Sequence, residues 1–230
     1  MLRTYHQKSK LEAVDFDGHL THYILSFWGY TNTTALRLYL SHKSIESLAY
    51  NSFKNFFLLT SLNLSFNKIT TFNWEALSNQ SSLQYLNLSH NFISSIHHTN
   101  FSNLYQLKEL NLSFNQIGEI EDYTFLDLEG LKRLNLSHNR LKLITSFTFS
   151  GLNEMIYVFL ECNEIDFISA DAFIRQRTIM KDLLNGKNKR DYVSIGYNMS
   201  NMVTLETIFR GNPILKRNLR MKEKLIHFNL

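Results

Sequence analysis

The chain has one cysteine, Cys162, in 230 residues, so no disulfide can close within it and the fold must hold by burial alone. One proline and eight glycines are too few for long flexible linkers. No run of about eighteen consecutive apolar residues occurs, which excludes a bilayer-spanning helix. The opening MLRTYHQKSKLEAVDF carries basic residues with no apolar stretch behind them, unlike a secretory leader. On that reading the protein stays inside the cell, or its leader is missing. Phosphate-cradling glycine motifs, GxGxxG or the Walker pattern, are also lacking.

What is present is globular in composition, with 44% hydrophobic and 19% charged residues. The net charge of +4 belongs to the C-terminal part. Residues 179–230 carry ten basic against four acidic groups, whereas residues 35–178 carry eleven against thirteen. Binding to nucleic acid or another acidic surface would have to use that tail, through Lys216, Arg217, Arg220, Lys222 and Lys224. A solvated basic segment accounts for the same charges, so nucleic acid is not the expected partner.

The phrases LNLSFN, LNLSHN, LNLSFN and LNLSHN begin at Leu62, Leu86, Leu110 and Leu134, 24 residues apart each time. The register extends back to Leu38-Tyr39-Leu40 and forward to Val158-Phe159-Leu160. Six units therefore start at Ala35, Leu59, Leu83, Leu107, Leu131 and Met155. Alternation in Leu62-Asn63-Leu64 predicts a short strand with Leu inward and Asn outward. Stacked units form a parallel sheet, and no unit buries its leucines without a neighbour.

The column Asn67, Asn91, Asn115, Asn139 and Asn163 falls where the chain leaves the sheet. Its amides are expected to satisfy backbone groups of the turn, including those of the next unit. The first unit has Lys43 in that place. Two further columns, Leu48, Phe72, Ile96, Ile120, Ile144, Ile168 and Phe53, Leu77, Phe101, Phe125, Phe149, Phe173, fill the space towards the convex side. The remainder of each unit is expected to be loop or short helical turns.

The central pattern, L-x-x-L-x-L-x-x-N-x-I/L, then an apolar residue three further on and usually Phe, resembles the leucine-rich-repeat family over residues 35–178. The resemblance implies an α/β solenoid: a right-handed superhelix with a parallel β-sheet on its concave face. It implies recognition, adhesion or receptor-ectodomain roles, not catalysis, and an extracellular or cell-surface setting. The single cysteine and the leaderless start point instead to the cytoplasm. Three regions result: 1–34 with a cap-like strand, six repeats over 35–178, and an irregular segment with a C-terminal cap over 179–230.

Val14–Thr21 resembles the N-terminal cap of extracellular members, with Phe16 standing where a cysteine would be. After Thr178 the register fails, because Asp182 falls where a core leucine belongs. Residues 185–191 read as an exposed loop. Leu205–Ile208 and Gly211–Ile214 read as the entry to a cap without cysteines, and Leu215–Leu230 as a short amphipathic helix.

Position eight of the units reads His42, Phe66, His90, Phe114, His138, Cys162. Strands about 4.8 Å apart place alternate histidines roughly 10 Å apart. Zinc–nitrogen bonds of about 2 Å cannot bridge that gap, so no metal is expected. His97-His98 is an isolated pair on a turn. Cys162 with His138 lacks a third, orienting group, so no catalytic residue or cofactor is assigned. Glycosylation sequons stand at Asn32, Asn63, Asn79, Asn87, Asn100, Asn111, Asn135 and Asn198. Four are the repeat's own Asn-Leu-Ser, and the rest match chance, so they carry no evidence of secretion.

Position three reads Arg37, Ser61, Tyr85, Glu109, Arg133, Tyr157, and changes chemistry against a constant scaffold. Tyr and Arg are favoured interface anchors. The candidate partner-binding residues are Arg37, Tyr39, Tyr85, Glu109, Arg133, Tyr157 and Phe159, for a protein partner. Phe66 and Phe114 are expected beside Phe159 as exposed aromatics of one concavity. An ordinary solvated face is the competing account.

Overall fold

Leucines alternating with polar residues lay down one three-residue strand per unit, and the 24-residue period sets these strands side by side. A computed structural model describes residues 17–31, 34–71, 74–77, 80–169, 172–173 and 193–194. Among the described residues thirteen strands are numbered in chain order. The inner sheet takes β2 (Arg37–Tyr39), β4 (Ser61–Asn63), β5 (Tyr85–Asn87), β7 (Glu109–Asn111), β9 (Arg133–Asn135), β11 (Tyr157–Phe159) and β13 (Val193–Ser194). All are parallel and lie in that order. The outer side carries pairs of two-residue strands: β1 (His19–Leu20) with β3 (Ser47–Leu48), β6 (Ser95–Ile96) with β8 (Glu119–Ile120), and β10 (Leu143–Ile144) with β12 (Phe167–Ile168). This is a leucine-rich-repeat solenoid.

Helix is scarce among the described residues: α1 (His22–Phe27) and one 3-10 turn at Trp74–Leu77. The return legs are turns and short strands, and the outer strand pairs have no counterpart in the sequence reading. The core is one continuous stack. Leu62, Leu86, Leu110 and Leu134 are 0–2% exposed, and Phe53, Phe101, Phe125 and Phe149 fill the outer side. Phe72, assigned to the same interior, lies outside the described residues.

The asparagine column reaches backwards, not forwards. The Asn115 amide donates to the Leu88 carbonyl of the preceding unit at 3.0 Å, and to Leu112 and Ser113 of its own turn at 3.1 and 3.3 Å. Its oxygen accepts from the Ile93 N–H, again one unit back, at 3.0 Å. Asn91, Asn139 and Asn163 repeat this pattern. The expectation that these amides serve the next unit is thus corrected. The direction also explains Lys43: with no full unit before it, the first repeat has no such carbonyl to satisfy. Asn67 of the second unit takes up the first unit's Lys43 and Ile45 N–H groups and the Leu40 carbonyl.

The residue before each asparagine, and His42 before Lys43, adopts left-handed backbone geometry, with φ between 54° and 57° at His42, Phe66, His90, Phe114, His138 and Cys162. Such geometry costs a non-glycine residue about 1–2 kcal/mol. Stacking offsets part of it. The rings of His42, Phe66, His90, Phe114 and His138 lie face to face, with centroids 4.6, 4.0, 4.2 and 4.0 Å apart and planes within 12°.

Residues 17–31 act as the return leg of a repeat. β1 joins the outer side, pairing with β3, so the cap-like strand does not extend the inner sheet. Thr21 caps α1 by accepting from the Ile24 N–H at 3.2 Å, and Leu20 and Leu25 are fully buried against the first unit. Val14–Phe16 lie outside the described residues, as do 195–230 and, within 179–192, every residue. β13 adds an inner strand beyond Thr178, where the sequence reading ended the repeats.

Replacing Asn115 by Ala leaves a buried N–H and carbonyls unpaired and should cost about 2–4 kcal/mol, read as a lowered urea midpoint. Asn87→Ala loses a half-buried turn bond and should cost about 1 kcal/mol; equal costs would contradict the ladder's role.

His90 is held below its ordinary 6.5, first by burial and then by the charge of His138. The unfolded chain therefore takes the proton first. Stability is full above the unfolded value and should fall as pH drops through about 6.5 towards the lower folded value. In a Tm series over pH, His90→Phe should flatten part of that fall; an unaltered slope would show that the column does not sense protons.

Candidate functional site

Pleating turns positions three and five of each unit, the two ends of its inner strand, to the same open side. Two rows result. One is Arg37, Ser61, Tyr85, Glu109, Arg133 and Tyr157; the other is Tyr39, Asn63, Asn87, Asn111, Asn135 and Phe159, each residue directly beside its equivalent in the next strand. Together they floor an open trough. Tyr39, Tyr85, Glu109, Arg133 and Phe159 all line it, so five of the seven candidate residues come together. Arg37 stands exposed on the edge strand β2, and Tyr157 joins through its contact with Arg133.

The strongest local feature is at the C-terminal end. The Arg133 guanidinium sits 4.9 Å from the Tyr157 ring centre and 5.7 Å from that of Phe159. Glu109 lies directly across the sheet from Arg133, yet no ion pair of Arg133 is found among the described residues. Two rings thus flank the cation, which lines the trough without an ion pair to a carboxylate among the described residues.

Sequence reading missed the row of four asparagines in the trough floor, having set the Asn-Leu-Ser triplets aside as scaffold. They are both. Each Asn oxygen accepts from the serine N–H two residues on, at 2.9–3.0 Å, which ends the strand in an Asx turn. The same side chains line the trough. Period-two alternation would have placed them there, since positions three and five must share a face. Phe66 and Phe114 are corrected in the other direction: they stand in the ring column and do not line the trough.

On the outer side, His97 and His98 are not isolated. Their Nδ1 atoms lie 3.6 and 2.9 Å from one Glu121 oxygen, and the His98 N–H donates to that oxygen as well. The His98 backbone bond, then its side-chain bond, hold the Glu121 carboxyl below its usual range. Among the described residues, no group of three or more His, Cys, Asp or Glu is placed to hold a metal ion. Phe66 and Phe114 separate the histidines of the ring column. Cys162 is an exposed free thiol. Among the described residues no helix is long and apolar enough to cross a membrane. The basic residues between Lys216 and Lys224 lie outside the described residues.

A family model for the leucine rich repeat matches residues 36–93, 81–141 and 129–177. No curated protein matches the chain. Among solved structures, the leucine-rich repeat domain of APL1B is similar, with 27% identity and a TM-score of 0.56 over 66% of this chain. The chain spans 44% of that one. Leucine-rich-repeat folds commonly serve as protein-interaction modules. With the repeat, the stacked parallel sheet and the family model in agreement over most of its length, the chain belongs to the leucine-rich-repeat family.

Proposed function

We propose that the protein is a non-enzymatic binding module that recognises a protein partner on its concave face. One observation carries this reading: on a scaffold whose core repeats from unit to unit, position three of the trough changes chemistry at every step, and Arg133 stands there against the rings of Tyr157 and Phe159. An open sheet suits a macromolecular surface better than the enclosed pocket of a small-molecule site. Arg133, supported by rings and unengaged by Glu109, suits a carboxylate of the partner held bidentately, with Tyr85 and Tyr39 as flanking anchors. The 24-residue unit supports a receptor-ectodomain-like or adhesion-type role at the cell surface, as in the family members it resembles.

The combined variant Tyr85→Ala with Arg133→Ala tests this. Both side chains are exposed, so the urea midpoint should stay within about 1 kcal/mol of wild type. Affinity for partners captured by the wild-type protein should fall by about tenfold to a thousandfold. A control on the outer side, Leu143→Ser with Phe167→Ser, should leave that affinity unchanged. Retention by the trough variant and loss by the control would overturn the assignment.

A further inference from the structure

The trough floor is rich in hydrogen-bond donors and poor in acceptors. Asn63, Asn87, Asn111 and Asn135 stand side by side in it, each half-buried. Each spends its side-chain oxygen on the serine N–H two residues on. The Ser113 and Ser137 hydroxyls donate to the same oxygens of Asn111 and Asn135, at 2.8 and 2.7 Å. The amide nitrogens of all four have no acceptor among the described residues. Held by their oxygens, these amides present a preorganised row of N–H groups. Among the lining residues Arg133 is the one cation and Glu109 the one carboxylate.

A row of neutral donors matches neutral acceptors. A phosphate or sulfate polymer is held by many cations, whereas residues 35–178 carry eleven basic against thirteen acidic groups. Peptide carbonyls fit the row, and proline, which has no N–H, supplies a carbonyl without a competing donor. A chain in the polyproline II conformation keeps every carbonyl free, because it has no internal hydrogen bonds. Its period fits too. Three residues rise about 9.3 Å, and two strand spacings are about 9.6 Å, so every third carbonyl meets every second asparagine. Proline rings pack on aromatic walls, and Tyr39, Tyr85 and Phe159 supply these along the trough.

We propose that the trough recognises a proline-rich segment in polyproline II form, laid across the strands with one Asp or Glu on Arg133. The proposal rests on the concave-face reading above and names the class of its partner. Five strand spacings separate Tyr39 on β2 from Phe159 on β11. That is about 24 Å, the length of about eight residues of such a segment.

The probe is a set of proline decapeptides with one Asp moved through every position, titrated calorimetrically into the full-length chain. At least one should bind. The same peptide with its Asp replaced by Lys, or its prolines by alanine, should bind about tenfold more weakly or worse. Asn87→Asp with Asn111→Asp keeps the oxygen that the turn needs and exchanges amide donors for acceptors. It should weaken binding by about tenfold or more with the urea midpoint unchanged. Asn87→Ser with Asn111→Ser removes the amides without adding charge and should weaken it by about threefold to tenfold. No peptide bound, alanine peptides bound as well as proline ones, or binding indifferent to both asparagine pairs would overturn the proposal. So would a preference for heparin or single-stranded DNA, or self-association of the chain through the trough. If Tyr85→Ala with Arg133→Ala loses a captured partner that both asparagine pairs keep, the concave face still binds and only the proline-rich class falls. If none of these variants loses it, both readings fall.

Discussion

The buried asparagine amide that bonds backwards is the interaction on which the rest of the structure depends. Every unit must turn its chain off the sheet, and that turn leaves carbonyls and an N–H inside the protein, where water cannot reach them. Asn91, Asn115, Asn139 and Asn163 answer this with one side chain each, shared between the turn they occupy and the unit before. The bond ties neighbours together at the place where the strands end. The residue ahead of it is left-handed in every unit, including His42 before Lys43, and His42, Phe66, His90, Phe114 and His138 stand ring upon ring.

That direction gives the stack a polarity: each unit is completed by its successor. The first needs no asparagine of its own and has Lys43 there, served by Asn67. The return leg of residues 17–31 covers the first unit from the other side, through β1 and the buried Leu20 and Leu25. Cover at the N-terminal end is therefore hydrophobic and outer-sided, while connection towards the C-terminal end runs through the inner sheet and the ladder. A scaffold satisfied in this way leaves position three of the trough free to vary, while the position-five asparagines stay constant because they end each strand.

Much of this was readable from the chain. The 24-residue period located every inner strand from β2 to β11, and the constant columns named the core, because a repeat multiplies a weak local signal until chance cannot imitate it. The readings that failed have physical reasons. The outer strands are two residues long, too short to show alternation. The His97–His98 pair meets Glu121 across units, a contact that linear spacing does not display. β13 escaped because Val193 lies 35 residues after Val158, its partner across the sheet, and so falls off the 24-residue period. In the candidate site, Tyr39, Tyr85, Glu109, Arg133 and Phe159 were found by their variation; the four trough asparagines were passed over because they do not vary.

The account divides the molecule into a ladder that holds it together and a row that does not. Equilibrium unfolding of a chain in which Arg37, Tyr85, Glu109, Arg133 and Tyr157 are all changed to Ser, the residue already present at Ser61, measures that division directly. The account predicts a single cooperative transition within about 2 kcal/mol of wild type, since Arg37, Tyr85, Glu109 and Arg133 are exposed and Tyr157 is half-buried, and such positions cost little. A larger loss, or a transition broken into steps, would show that the variable row is part of what holds the repeats together.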